Sequence, residues 1–402
     1  MLQRIKALLL QQRFLLVVYI VLALIAGIQL VLLAPQFFAG KPYTNYNNYV
    51  IFRQSFFHLV RGLNMYIPYP DEQWDLYKYS PTFALAMGLL AHLPDIIGLC
   101  LWNLLNALTL FAAIRMLPFT RKVQGWLMLF IALELLTSLQ NAQSNGLLCG
   151  LIIAAYGCME QKKLLWAALW LVAATFIKVY GAIGFCLFLF YPGRLKFILY
   201  AFLCIVVLAA MPLAVTPFHT LVWQCSNWAT MMAADASASW GISVSGWLHS
   251  WFGISNGKTY VTLIGAVLFL IPLLRYQLYK NEVYRLLTLA SMLIWVIIFN
   301  HKAESPTYII AVTGVGIWYF ATPRAAWHTV LFWFVFIFTS VATTDICPPS
   351  LKEQFFKPYT IKALPCIIVW GVVLCELMLL KQDAKLPEEE KSMHASNNIA
   401  TD

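Results

Sequence analysis

The sequence predicts an all-α fold, a polytopic integral membrane helix bundle, and three observations carry that reading. Of 402 residues, 61% are hydrophobic and 11% charged, which leaves too little polar surface to clothe a water-soluble chain. The apolar residues fall in continuous runs without the alternation of a membrane barrel. Lipid offers the backbone no hydrogen-bond partner, so each run must satisfy its own amides as a helix. Finally, Lys and Arg gather in connectors that fall on one side when the runs are threaded through a bilayer, the asymmetry of the positive-inside rule.

The first run, 14–33, follows Arg4, Lys6 and Arg13, which places the N-terminus in the cytoplasm. It exceeds a signal-peptide core and lacks a small-residue cleavage site, so it reads as a retained span. A polar, aromatic stretch occupies 35–80. Further spans are expected near 97–117, 125–140, 146–160, 164–177, 179–191, 197–216, 259–275, 284–300, 305–321, 326–343 and 363–381. With the first they make about twelve transmembrane helices, for a membrane that takes about 20 residues to cross. This register turns Arg115, Arg121 and Lys122, Lys162 and Lys163, Arg194 and Lys196, Arg275, Lys280 and Arg285, and Arg324 to the cytoplasm, together with the tail after Lys381. The run 81–93 is too short to cross, and counting it as a span would turn Arg115 and Lys122 outward; it reads as a half-helix or re-entrant segment. The fifth and sixth spans, 164–177 and 179–191, are also short and are expected to be broken or tilted.

Residues 1–381 thus form one membrane domain. Residues 382–402, with a PEEEK run and little hydrophobicity, form a disordered cytoplasmic tail. The expected location is the inner or plasma membrane with both termini cytoplasmic. The net charge of +10 belongs with the cytoplasmic connectors and suits anionic lipid headgroups. No basic stripe interleaves with exposed aromatics, so nucleic acid is not an expected partner. The nine cysteines show no metal spacing; Cys225 and Cys347, both in outward loops, could pair in an oxidising compartment.

The same register collects the polar segments on the other face: 35–80, the NAQSN turn (141–145), the IKVYG turn (177–181), 217–258, the NHKAES turn (300–305) and 343–362. The first loop mixes Tyr46, Tyr49, Tyr66, Tyr69, Trp74, Tyr77 and Tyr79 with Asn45, Asn47, Asn48, Arg53, Asp71, Glu72, Asp75 and Lys78. Rings with hydrogen-bonding rims suit sugar or lipid-headgroup recognition; the plainer reading is an interfacial aromatic belt. Each outward polar residue carries a similar pair of readings. Lys178 either binds an anion or snorkels to the interface, and His301 and Lys302 either bind one or pair with Glu304 inside their own turn. Gln143 and Asn145 either bind or cap helix ends, and Trp240, Ser243 and Ser245 either bind or shape a turn. Glu134 lies within a span, where a carboxylate is costly and either functional or paired in the bundle.

The order of these parts carries more information than any one of them. After the first span comes a G-x-x-x-Y element, Gly62 to Tyr66, and then Tyr79-Ser80-Pro81 opening the next apolar segment. Ala142-Gln143-Ser144-Asn145 follows, then Ile177-Lys178 at a helix end, Ser243-x-Ser245-Gly246 in the large loop, and a His-bearing turn at Asn300. Over roughly residues 40–310 this series resembles glycosyltransferase family 87, the polyprenyl-phosphate-mannose-dependent mannosyltransferase-like membrane proteins of the C-type glycosyltransferase group.

The resemblance implies transfer of a sugar, mannose by default, from a polyprenyl phosphate to a hydroxyl of an extracytoplasmic glycolipid or glycan. Transfer proceeds with inversion and without a nucleotide sugar or other cofactor. Lys178, His301, Lys302 and Arg53 are the cations available to the phosphate. Asn45, Asn48, Tyr49, Lys78, Tyr79, Gln143, Asn145, Trp240, Ser243 and Ser245 are the candidates for sugar or acceptor. One departure stands out. An inverting transfer needs a carboxylate to take the acceptor proton, and the family pattern would put an Asp early in the first loop, where this chain has Asn45, Asn47 and Asn48. Asp75 is the first candidate to replace it, beside Lys78 and the Tyr79-Pro81 signature; Glu304, Asp71 and Glu72 follow. No metal-ligand cluster is visible, so metal-independent chemistry is expected. A lipid-linked saccharide transporter or flippase, or a catalytically silent relative, would use the same bundle and the same outward cations.

Overall fold

The computed structural model describes residues 10–235, 239–344 and 346–387; Arg4, Lys6 and most of the acidic tail lie outside them. Among these residues the regular secondary structure is helical apart from one short hairpin. In chain order come α1 (Gln12–Leu32), the antiparallel strands β1 (Gln36–Phe38) and β2 (Lys41–Tyr43), α2 (Asn47–Val60), α3 (Pro81–Ala91), α4 (Asp95–Ile114), α5 (Arg121–Leu139), α6 (Asn145–Glu160) and α7 (Leu164–Ile177). A 3-10 helix (Val179–Phe190) leads to α8 (Arg194–Ala210), and the large loop holds α9 (Phe218–Asp235) and α10 (Val244–Phe252). Then come α11 (Lys258–Leu273), α12 (Glu282–Ile298), α13 (Tyr308–Ala321), α14 (Ala326–Val335), which runs on as a π-helical turn, and α15 (Leu364–Leu379).

A helix stands at each of the twelve expected spans. Five of them, Gln12–Leu32, Asp95–Ile114, Arg121–Leu139, Arg194–Ala214 and Ile361–Leu379, are long and apolar enough to cross a membrane; the rest are shorter. The bundle is ordered by what each helix must hide. All of α13 is buried, as an all-round apolar helix must be, and it packs chiefly against α12. At the periphery α8 leaves Phe202 and Val207 exposed and α11 leaves Ile264 and Val267 exposed, apolar faces that suit lipid.

The short run at 81–93 is α3, only 11 residues long, about 16 Å at 1.5 Å per residue against about 30 Å of hydrocarbon. Pro81 opens it and Ser80 caps it, its hydroxyl accepting from the Phe83 amide at 3.2 Å. The sixth expected span is the 12-residue 3-10 helix, far longer than such helices usually run. The large loop and the first loop, read from the sequence as loops, contain α9, α10 and α2.

At the end of the bundle away from the polar turns, Arg285 binds Glu160 through Nε at 2.7 Å and Nη2 at 2.9 Å, while the Tyr191 hydroxyl donates to the same carboxylate at 2.6 Å. Arg275 donates to the carbonyls of Leu377, Met378 and Leu380, capping α15 in the manner expected of a cation at a helix C-terminus. Glu134 is fully buried and pairs with buried Lys362 at 2.8 Å, so the carboxylate inside the span is neutralised within the bundle. The first residues of the tail are docked: Asn281 donates to the carbonyls of Gln382 and Ala384, and Leu386 is buried. Cys225 and Cys347 are both free thiols.

Candidate functional site

Five of the six polar segments expected to share a face converge on one cavity of about 430 Å³; among the described residues 343–362 supplies none of its lining, and its Lys362 is the buried partner of Glu134. Nine of the candidate residues line the cavity: Asn48, Asp75, Lys78, Tyr79, Gln143, Lys178, His301, Lys302 and Glu304. Its apolar wall comes from Ile51 and Phe52 of α2, Val179 and Tyr180 of the 3-10 helix, Met232 of α9, and Trp295, Val296 and Phe299 around the end of α12.

The NAQSN turn is held from behind by a polar seam on α4. Trp102 Nε1 donates to the Ala142 carbonyl at 2.9 Å, Asn103 Nδ2 donates to the Leu139 carbonyl at 3.3 Å, and Asn106 Oδ1 accepts from the Leu147 amide at 2.8 Å. Ala142 sits at φ 49°, a left-handed conformation that costs a residue with a Cβ and that these bonds maintain. The NHKAES turn is pinned by the segment before α10: the Ile242 amide donates to the Ala303 carbonyl at 2.8 Å and the Tyr308 hydroxyl to the Ile242 carbonyl at 2.8 Å. Gly241, at φ 58°, passes so close that a Cβ there would lie 2.5 Å from the His301 carbonyl oxygen, and one at Gly246 would lie 2.1 Å from the Gly241 carbonyl oxygen.

These two turns and the IKVYG turn are joined by a directed hydrogen-bond chain. Lys178 Nζ donates to Asn145 Oδ1 at 2.7 Å, Asn145 Nδ2 donates to Gln143 Oε1 at 2.7 Å, and Gln143 Nε2 donates to Glu304 Oε2 at 2.8 Å. Asn145 also donates to the Pro306 carbonyl at 2.9 Å. Every amide in the chain points the same way, from ammonium to carboxylate, so the bonds polarise one another. Two carboxamides therefore stand between the charges, and neither Lys178 nor Glu304 makes an ion pair among the described residues. The ammonium instead lies 5.7 Å from the ring centroids of both Tyr79 and Tyr180, a cation–π setting. Burial pulls Lys178 down to about 8, with Glu304 opposing that shift and Lys78 adding to it. His301 is lowered from its ordinary value by burial first and then by Lys302 and Lys258, which keeps its imidazole neutral at pH 7.

The other charges of the cavity are engaged. Asp75 pairs with Lys78 at 3.2 Å and accepts from the Leu76 amide at 2.7 Å. Asp235, at the end of α9, lies 3.7 Å from Lys78 and 3.1 Å from Lys302. Sequence reasoning missed Asp235: nothing local marks it, because both its partners come from distant segments. The lining therefore holds three ammonium groups and three carboxylates.

The remaining candidates lie elsewhere. Arg53 does not line the cavity; it pairs with Asp95 at the start of α4. Tyr49 is buried with its hydroxyl toward the Leu90 carbonyl, and Asn45 donates to the Leu33 and Ala34 carbonyls that end α1. Ser243 caps α10, accepting from the Gly246 amide at 3.2 Å and donating to the Trp240 carbonyl at 2.7 Å. Ser245 is buried beside it. Trp240 stacks on His249 with centroids 4.5 Å apart and carries the Lys258 ammonium 4.2 Å over its ring. The Ser-x-Ser-Gly element thus positions the His301–Glu304 turn from outside the cavity.

A buried cation free of any carboxylate partner, a carboxylate free of any cation, and an apolar wall leading away from both suit an amphiphile with an anionic head. Comparison with curated proteins finds no match. The model of glycosyltransferase family 87 matches residues 77–299, a stretch that contains α3 through the end of α12 and includes Lys78, Tyr79, Gln143, Lys178 and Asp235 of the cavity lining but not Asp75, His301, Lys302 or Glu304. The chain belongs to glycosyltransferase family 87.

Proposed function

We propose that this membrane glycosyltransferase moves a sugar, mannose by default, from a polyprenyl phosphate to a hydroxyl of an extracytoplasmic glycolipid or glycan. In this reading the chain crosses the membrane about twelve times in the inner or plasma membrane, with both termini cytoplasmic and the cavity at the outer surface. The observation that carries it is the Lys178–Asn145–Gln143–Glu304 chain, which holds an unquenched cation and an unquenched carboxylate in one cavity.

The chemistry follows from those two groups. The acceptor oxygen attacks the anomeric carbon from the face opposite the phosphate, the new C–O bond forms as the glycosyl–phosphate bond breaks, and the configuration inverts. The acceptor proton goes to Glu304. The leaving polyprenyl phosphate keeps the electron pair of the broken bond, and the Lys178 ammonium stabilises its charge. Glu304 is favoured over Asp75 as the base because the Asp75 oxygens are already engaged by the Lys78 ammonium and the Leu76 amide, whereas Glu304, among the described residues, accepts from the Gln143 amide alone; Asp75 then orients Lys78. Asn48, at the start of α2, borders the cavity as a carboxamide, which can hold a hydroxyl but cannot take its proton.

The test is transfer of radiolabel from a synthetic polyprenyl-phosphate-mannose to extracted host glycolipids, with intact protein, Glu304→Gln and Lys178→Ala in matched membranes. Loss of transfer in both variants, with donor binding kept in Glu304→Gln, supports the reading. Absence of transfer from mannose and other polyprenyl-linked sugars by folded protein overturns it in favour of a transporter or a silent relative.

A further inference from the structure

A second cavity, of about 220 Å³, lies beside the first at the same end of the bundle, between the end of α1, the hairpin, the start of α2 and the end of α5. Asn48 lines both. The two differ in chemistry. The first is lined by six charged residues; the second has none, and seven of its eleven lining residues are Asn or Gln.

Its hydrogen-bonding groups are sorted by the bonds they already make. Asn47 is buried and accepts from the Trp74 amide through Oδ1 at 3.2 Å, which leaves its buried Nδ2 without a partner. Gln140 Nε2 donates to Gln29 Oε1 at 2.9 Å, so Gln29 keeps a donor and Gln140 an acceptor. Asn45 uses its two Nδ2 hydrogens on the Leu33 and Ala34 carbonyls and Asn48 one of its two on the Asn141 carbonyl, and both keep Oδ1 as an acceptor. The cleft therefore offers donors and acceptors side by side around Trp74, a residue 44% exposed whose ring lies 5.4 Å from that of Phe38. Alternating donors and acceptors match groups that both give and accept a hydrogen bond. An uncharged lining gives an ionic group nothing in return for its desolvation, while an indole face suits the C–H side of a pyranose ring.

We propose that this cleft binds a neutral saccharide and, on the transferase reading given above, that it is the acceptor subsite, with Asn48 at the junction where the acceptor hydroxyl reaches the charged cavity. The sugar comes either from a glycolipid headgroup or from a glycan chain, and both present the same chemistry.

The test is saturation-transfer NMR on the full-length protein in nanodiscs, with methyl glycosides of mannose, glucose and galactose as probes and glucuronate and glucosamine as charged controls. The expected result is contact with neutral glycosides, weakened at least about tenfold in Trp74→Ala and in Gln140→Ala, and kept within about threefold in Trp74→Phe. Tighter binding of the same sugar on diacylglycerol assigns a glycolipid, and tighter binding of tri- and tetrasaccharides assigns a glycan; either supports the proposal. It is overturned if no neutral glycoside binds, if the charged sugars bind better, or if binding is the same in Trp74→Ala and Gln140→Ala as in the intact protein. Because this readout needs no donor and no turnover, a failed transfer assay with saccharide binding intact removes the catalytic reading and leaves the saccharide site standing.

Discussion

Lys178 offers the sharpest test, because the proposed transfer needs its charge to meet a phosphate and its burial makes that charge titrate near neutrality. With the ammonium pulled from 10.5 to about 8, about nine-tenths of the free protein carries the charge at pH 7 and about one-tenth at pH 9. A pH profile of kcat/KM reports the free enzyme, so transfer should fall above about pH 8 by roughly a decade per unit. The sign for stability is the opposite. The charged form is disfavoured in the fold, so the strain is present below about pH 8 and is relieved as pH rises from there toward 10.5.

Asn145→Asp is the informative perturbation. It places a carboxylate where Nζ now meets an amide oxygen at 2.7 Å, and an opposite charge at that range raises an ammonium by about 1–3 units. The alkaline limb should move up by at least about 1 unit while transfer at pH 7 weakens, since the ammonium is now neutralised. Lys178→Arg should remove the limb altogether, the guanidinium staying charged. The assay is initial-rate transfer in nanodiscs over about pH 6 to 9.5. A wild-type profile flat across that range, or a limb with the same midpoint in Lys178→Arg, refutes the reasoning.

Other outcomes follow from the same contacts. Glu304→Gln should cut kcat by at least about 100-fold with donor affinity kept, whereas Asp75→Asn should cost less, about tenfold, by freeing Lys78; single-turnover rates and donor binding separate the two. Gly246→Ala puts a Cβ 2.1 Å from a backbone oxygen and should displace the turn carrying His301 and Glu304, lowering the unfolding midpoint and transfer together. Removing one partner of the Glu134–Lys362 pair should destabilise by about 3–5 kcal/mol, while Glu134→Leu with Lys362→Met should recover most of that loss, read as thermal midpoints in detergent. Transfer should survive a chelator; activity lost on chelation and restored by a divalent ion would disprove metal independence.

The helices were legible because lipid permits one solution to a long apolar run, and the turns between them because their polar residues had no other place to go. What escaped was whatever depended on partners. α9 and α10 carry both apolar and polar residues and read as loop, since neither is apolar enough to resemble a span. Asn103 and Asn106 look like interruptions in an apolar run, yet with Trp102 they hold the NAQSN turn. Arg53 was expected to meet phosphate, but Asp95 reaches it first. Residue type and position mark Lys178, Asn145, Gln143 and Glu304 one by one, while their hydrogen-bond order comes from three turns that only the fold brings together.

The balance of three ammonium groups against three carboxylates around the cavity has a kinetic meaning. With His301 neutral, the lining as a whole projects little net field into solution, so an anionic substrate approaching from water gains little long-range attraction. For the proposed lipid-borne donor, capture then rests on two-dimensional diffusion along the bilayer, and its rate should respond weakly to ionic strength. Selectivity for the anion begins only at contact, when its head reaches the one ammonium that faces aromatic rings and an amide.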